Sequence, residues 1–160
     1  MKLVPVHGGY FAQVDDEDYE RISALRWHIA KGQNTVYAST NVRRDGGYSS
    51  VGMHRMVNET PAGLHTDHID GNGLNNTRAN LRTATRVQNA RNRQPNKNAA
   101  SNYKGVCWNK RKRRWVASIR VNKTAIFLGL FKEERDAAAA YERAASEHFG
   151  EFARLSGALI

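Results

Sequence analysis

The chain has 160 residues and a mass of 18.0 kDa, room for one domain or two small ones. An apolar fraction of 40% and a mean hydropathy of −0.68 allow only a modest core, and no run approaches the ~18 apolar residues that span a bilayer. The opening MKLVPVHGGYF lacks the long apolar stretch and small-residue cleavage site of a secretory signal. The single cysteine, Cys107, excludes an internal disulfide and a cysteine-rich zinc finger, so the expected setting is a reducing cytoplasm. The net charge of +10 is uneven. Residues 1–66 balance seven basic against seven acidic side chains, whereas residues 102–132 carry nine basic and no acidic ones. A +9 block in a segment patterned as sheet predicts a face for a polyanion.

In chain order, Leu3–Val6 and Tyr10–Val14 read as short strands. Asp15 then opens a short helix with Tyr19, Ile22 and Leu25 on one face. Trp27–Ile29, Val36–Asn41 and Ser49–Met53 read as further strands, parted by the turns KGQN and RRDGG. No chemistry is legible in residues 1–50, a small α+β support; the alternative reading is an extra DNA-contacting arm through Arg43 and Arg44.

Residues 54–93 hold the densest His, Asp and Asn. The run His65-Thr66-Asp67-His68-Ile69-Asp70-Gly71-Asn72 leads to Asn75-Asn76, Asn80-Leu81-Arg82 and Asn89. Phosphodiester hydrolysis needs a base for the attacking water and positive charge on the phosphate and leaving oxygen. Neutral imidazole suits the first task, and a hard divalent ion on oxygen ligands suits the second. Thr85 and Gln88 form a capping box that starts a helix at Arg86 and puts Asn89 in its first turn, where its amide oxygen could supply a ligand beside Asp67. Leu64, Ile69, Leu74, Leu81 and Val87 are the expected apolar glue. DGNG alone is an ordinary turn, and it fails as a calcium loop because Asn75 stands where glycine is required. His54 reads as structural or phosphate-facing, and His65 stays open.

The stretch from Met53 to Arg93 resembles the HNH endonucleases, in particular the phage and intron-encoded homing type. The resemblance rests on His54-Arg55-Met56-Val57, on Asp67–Asn72 as the DHIDGN signature, on Asn76–Arg82 and on Asn89. It implies a ββα-metal core with His68 as general base, Asn80 orienting that base, and Asp67 and Asn89 holding the metal. Asn rather than His at the last position suits Mg²⁺ or another hard ion such as Mn²⁺, and makes zinc or nickel the poorer match.

After the polar stretch 94–101, read as a linker, come strands at Tyr103–Trp108, Trp115–Val121 and Thr124–Phe131. A helix is expected from Glu133 to Phe149, with Gly150 at the place of a left-handed cap. Alternation separates Trp115, Ala117, Ile119 and Val121 from Val116, Ser118, Arg120 and Asn122, so one face suits the alanine-rich helix and the other suits DNA. Phe127 and Phe131 are expected in the core. This span resembles the ethylene-response-factor (APETALA-type) DNA-binding domain, through Tyr103-Lys104-Gly105-Val106, Arg114–Arg120, Leu128-Gly129-Leu130-Phe131 and Ala137–Tyr141 with Ala144-Ala145. The resemblance implies DNA contacts from Lys104, Trp115 and Arg120. Trp108, the turn residues Lys110, Arg111 and Arg113, Lys123 and, in the first module, Arg55 complete the expected DNA-facing set.

The fold class read from the sequence is thus α+β. An N-terminal α+β region with the HNH core occupies 1–93, a three-stranded antiparallel sheet on one helix occupies 102–152, and a tail follows at 153–160. The functional reading is a metal-dependent, site-directed endonuclease acting on double-stranded DNA, with no membrane partner, from a phage-borne or other mobile element in a bacterial host. A single such active site nicks one strand, and a double-strand break calls for a homodimer or sequential cuts. The rivals are a non-catalytic, sequence-specific DNA-binding regulator with a decayed HNH core, and an RNA-directed or structure-specific nuclease.

Overall fold

The computed structural model describes residues 1–95 and 99–156. Parts of the expected linker (96–98) and tail (157–160) therefore lie outside the described residues. The fold is α+β, and the chain divides into two compact units, Met1–Asn89 and the chain from Ala90 onward.

In the first unit, β1 (Lys2–Val6) and β2 (Tyr10–Val14) form an antiparallel hairpin. Strict alternation buries Val4, Val6, Ala12 and Val14 and turns Leu3, Pro5 and Phe11 outward. Helix α1 (Asp16–Ser23) follows, with Asp16, Glu17 and Asp18 in its first turn, where the helix dipole favours negative charge. Its Ile22 is fully buried, worth about 1.5–3 kcal/mol in removed apolar surface, and the Ile22 carbonyl accepts the Trp27 indole N–H at 2.8 Å. β3 (His28–Lys31), β4 (Val36–Arg44) and β5 (Gly47–Gly52) form an antiparallel sheet in that order.

The strand expected to run through Met53 stops one residue earlier. A short helix, α2 (Met53–Val57), begins there and sends Met53 and Val57 into the core, the 3.6-residue spacing overriding the strand pattern before it. β6 (His65–His68) and β7 (Leu81–Ala84) form the next hairpin, and helix α3 (Arg86–Asn92) ends the run. The Thr85–Gln88 capping box is formed. The Gln88 amide N–H donates to Thr85 Oγ1 at 3.2 Å, and the Thr85 amide N–H donates to Gln88 Oε1 at 2.8 Å. Of the expected glue, Leu81 is buried and Leu74 packs on the core, but Ile69 and Val87 are exposed. Ile69 lies past the end of β6, and Val87 sits on the solvent side of α3.

In the second unit, β8 (Val106–Asn109), β9 (Arg114–Val121) and β10 (Thr124–Phe131) form an antiparallel sheet with β9 central. Helix α4 (Glu134–Phe149) covers one face, packing Ala137, Ala138, Tyr141, Ala144 and Ala145 against Val106, Ala117 and Ile119. Small side chains let helix and sheet approach closely. A Cβ on Gly105 would lie 2.1 Å from the Tyr141 ring, and Gly105 has φ +72° besides, so only glycine fits. A bulge at Leu128 changes the side-chain phase of β10. It keeps Leu128 and Phe131 toward the core and leaves Phe127 outward and 64% exposed, correcting its expected core placement. Gly150 takes φ +54° with ψ −130°, a glycine conformation outside the left-handed helical well expected of it.

Candidate active site

The β6–β7 register pairs Asp67 with Arg82 and His68 with Leu81, so the two adjacent residues point to opposite faces of the hairpin. On one face the His68 ring sits 5.2 Å from the ring of His54, contributed by α2, and 5.7 Å from that of Tyr37, contributed by β4. His68 Nε2 lies 3.2 Å from Asn76 Oδ1. An amide oxygen only accepts, so this bond places the proton on Nε2 and the lone pair on Nδ1. Asn76 is itself fully buried, and its amide donates to Met53 Sδ.

Burial pulls the His68 pKa below its ordinary value; the Asn76 hydrogen bond and the charges of Asp70 and Asp67 oppose the shift without reversing it. Its neighbour His54 is pushed down to about 3, chiefly by burial and then by His68 and Arg55. His54 Nδ1 is buried with no hydrogen-bond partner among the described residues. Both imidazoles are therefore neutral at neutral pH.

The N-terminal strands and helix fix this arrangement. The edge of β2 clasps the segment carrying Asn76, the Gln13 amide donating to Leu74 O and the Asn76 amide to Gln13 O, both at 2.8 Å. From α1, the buried Asp18 carboxylate accepts from Arg78 Nε at 2.8 Å and Nη2 at 3.0 Å and also pairs with Arg21. Both guanidinium groups hold its pKa below the carboxylate norm against the opposing effect of burial. Two residues on, Asn80 accepts the Asp70 amide at 3.0 Å and donates to Asp70 Oδ1 at 2.9 Å and Asn75 O at 2.8 Å. Asn80 thus locks the loop leaving His68, while Asn76 reaches the ring. The sequence marked Asn80 and missed Asn76, Tyr37 and Arg82; the run of asparagines was the available signal.

On the opposite face, Asp67 Oδ2 accepts from Arg82 Nε at 2.9 Å and Nη2 at 2.7 Å, with Asp67 only 5% exposed. Asn89 is half-buried in α3, and its side chain makes no hydrogen bond among the described residues. No group of three or more His, Cys, Asp or Glu side chains among the described residues could hold a metal ion. The donors at the expected metal positions are therefore a carboxylate and an amide oxygen. Both are hard oxygen donors, the kind a divalent cation that keeps several waters takes, and the Asp67 carboxylate is paired with Arg82.

The expected DNA-facing residues divide. Lys110, Arg111 and Arg113 are exposed on the β8–β9 turn, Lys123 on the next turn and Arg120 on the sheet face away from α4. Three of the expected DNA-facing residues are engaged within the protein. Arg55 is occupied by backbone carbonyls, donating to Leu64 O at 2.7 Å, Thr60 O at 3.1 Å and Pro61 O at 3.2 Å. Lys104 Nζ donates to the Ala90 and Arg91 carbonyls at the end of α3. Trp115 shares the face of Ala117 and packs on the core beneath α4, with Trp108 edge-on at 5.1 Å and partly exposed.

Comparison with known proteins adds to this geometry. A family model described as HNH endonuclease matches residues 54–91. Over 154 residues the chain is 33% identical to an uncharacterized HNH endonuclease of Acanthamoeba polyphaga mimivirus, covering 91% of this chain and 74% of that protein. This chain belongs to the HNH endonuclease family. It is also similar to Protein 3.8 of Escherichia phage T7, 39% identical over 59 residues, 37% of this chain and 49% of that one. No solved structure matches the chain. HNH endonucleases are generally dependent on divalent metal, in keeping with the oxygen donors described above. No helix among the described residues is long and apolar enough to cross a membrane.

Proposed function

We propose that this HNH endonuclease is a site-directed enzyme of the homing type, hydrolysing phosphodiester bonds in duplex DNA with a divalent metal, Mg²⁺ or Mn²⁺. The observation that carries the reading is the His68 imidazole, kept neutral by burial and fixed in one tautomer by Asn76. A base at neutral pH must be an unprotonated imidazole, and in this reading His68 takes the proton of the attacking water. Asn80 positions His68 by locking the loop that follows it. Asp67 and Asn89 would hold the metal, which when bound supplies positive charge to the phosphate and leaving oxygen. Arg82, paired with Asp67, keeps that carboxylate aimed.

In the same reading the second unit supplies the address. Arg120, the one of the three contacts implied by the APETALA-type resemblance that is exposed, lies with Phe127 on the sheet face away from α4. With Lys110, Arg111, Arg113 and Lys123 on its turns, they present charge and apolar surface to a groove. The exposed charges support a nuclease that finds duplex through its phosphates. The test is conversion of supercoiled plasmid to the open circular form with Mg²⁺, repeated with chelator and with His68→Ala. Metal-dependent nicking lost in the variant is expected. Binding without nicking by the wild type would favour a DNA-binding regulator with a decayed core.

A further inference from the structure

The β4–β5 pair departs from an ordinary sheet. β3 pairs with β4 only from Val36 to Ser39; beyond that point residues 40–44 of β4 pair with β5 alone, from Val51 back to Gly47. The result is a two-stranded ribbon of about five residues, on the order of 16 Å long at ~3.3 Å per residue. The register places Asn41 opposite Ser50 and Arg43 opposite Tyr48, so these four share one face, and all four are exposed. The other face, with Thr40, Val42, Ser49 and Val51, is more covered.

Two-stranded ribbons gain little stability of their own in water, and nothing in the fold requires an aromatic here. Tyr48 is nevertheless 77% exposed, and its side chain makes no hydrogen bond, ion pair or ring contact among the described residues. The same holds for the Arg43 and Arg44 side chains. No carboxylate lies on the face of Asn41 and Arg43, and the one nearby acid, Asp45, belongs to the turn. A solvated ribbon would be expected to mix both charge signs. This one gathers side chains that read base edges: arginine pairs with guanine O6 and N7, and asparagine with adenine N6 and N7. The major groove of B-DNA is ~12 Å wide and ~8.5 Å deep and admits a two-stranded ribbon of this reach.

We propose that the β4–β5 ribbon is a base-reading element that enters the major groove of the duplex substrate, with Asn41, Arg43 and Tyr48 facing the bases and Arg44 meeting a phosphate, while the Ser50 hydroxyl is taken up by Ser39 at 3.0 Å. The assignment rests on the reading of the chain as a DNA endonuclease. It gives the nuclease-bearing unit recognition of its own, separate from the basic sheet.

The experiment selects bound duplexes from a randomised pool with the full-length wild type and with Asn41→Ala/Arg43→Ala, whose equal thermal melting shows that the exposed substitutions leave the fold intact. The wild type is expected to enrich a consensus in which one short block relaxes in the variant, with affinity for the selected site falling about tenfold or more. Dimethyl sulfate protection of a guanine N7 in that block should disappear in the variant, and Arg44→Ala should lower the salt slope of binding by about 0.9. An unchanged consensus and affinity in the variant overturns the proposal, as does a wild type that enriches no consensus, or protection confined to adenine N3 in the minor groove. Supercoiled plasmid distinguishes the two levels. If the wild type fails to nick it, the endonuclease reading has failed; if wild type and variant both nick it while their consensus sequences agree, only the ribbon assignment has.

Discussion

The two units weight polar groups differently, although the second also buries Glu142, which accepts from the Ser156 amide and hydroxyl at 2.6 Å. The first buries Asp18, Asp67, His68, Asn76 and Asn80, and gives them specific partners. The second fills its interior with Ala117, Ala137, Ala138, Ala145 and Tyr141, and leaves Lys110, Arg111, Lys112 and Arg113 in solvent. The difference matches the proposed division of labour. Chemistry needs groups fixed in place and protonation state, and a low-dielectric interior enforces both at the cost of desolvation. Attraction to a polyanion needs charge that stays hydrated, reachable and adjustable.

The contrast breaks first at His68. His68→Ala should reduce plasmid nicking by about 10²–10⁴-fold, the range for losing a general base, while DNA affinity measured with chelator stays near wild type. A variant that nicks at the wild-type rate would remove His68 from the chemistry. Next comes Asp18→Ala, which takes a buried carboxylate away from two half-exposed guanidinium groups and should cost about 1–3 kcal/mol in urea unfolding, because solvent screens the charges left behind. A loss below about 1 kcal/mol would mean that the buried pairs of the first unit are no more consequential than surface ones.

The matched change in the second unit replaces Lys110, Arg111, Lys112 and Arg113 with alanine. It should alter stability by no more than about 0.5 kcal/mol per site while flattening the dependence of log affinity on log salt by up to about three to four. The smallest effect concerns acid. His54 is neutral when folded down to about pH 3, whereas the unfolded chain takes up a proton near 6.5. Stability is therefore lost as pH falls through that window, by about 2 kcal/mol between pH 6.5 and 5. His54→Phe should abolish that portion of the slope in urea titrations at the two pH values.

Much of the site was legible because local rules agree with the fold there. The Thr85–Gln88 box starts α3 where its spacing says, and alternation in β6 separates Asp67 from His68 without any tertiary knowledge. What escaped depended on distant pairing. Asn76 becomes the partner of His68 only because β2, some sixty residues earlier, holds its backbone. Lys104 was expected to contact DNA from the resemblance and Arg55 from its charge, yet both side chains donate to backbone carbonyls, a use that neither signal reveals. Phe127 was misplaced because a one-residue bulge inverts a period-two pattern downstream of it.

The lysine that closes α3 also bears on how portable the catalytic part is. Lys104 sits eleven positions past Arg93, yet its ammonium satisfies the Ala90 and Arg91 carbonyls at the helix end, where a cation is worth about 0.3–1 kcal/mol. A fragment cut at Arg93 keeps every residue of the HNH signature and loses that clasp, so the turn after Asn89 would fray. For grafting this nuclease onto another targeting domain, the splice belongs beyond Lys104, farther along the chain than the borders of the motif suggest.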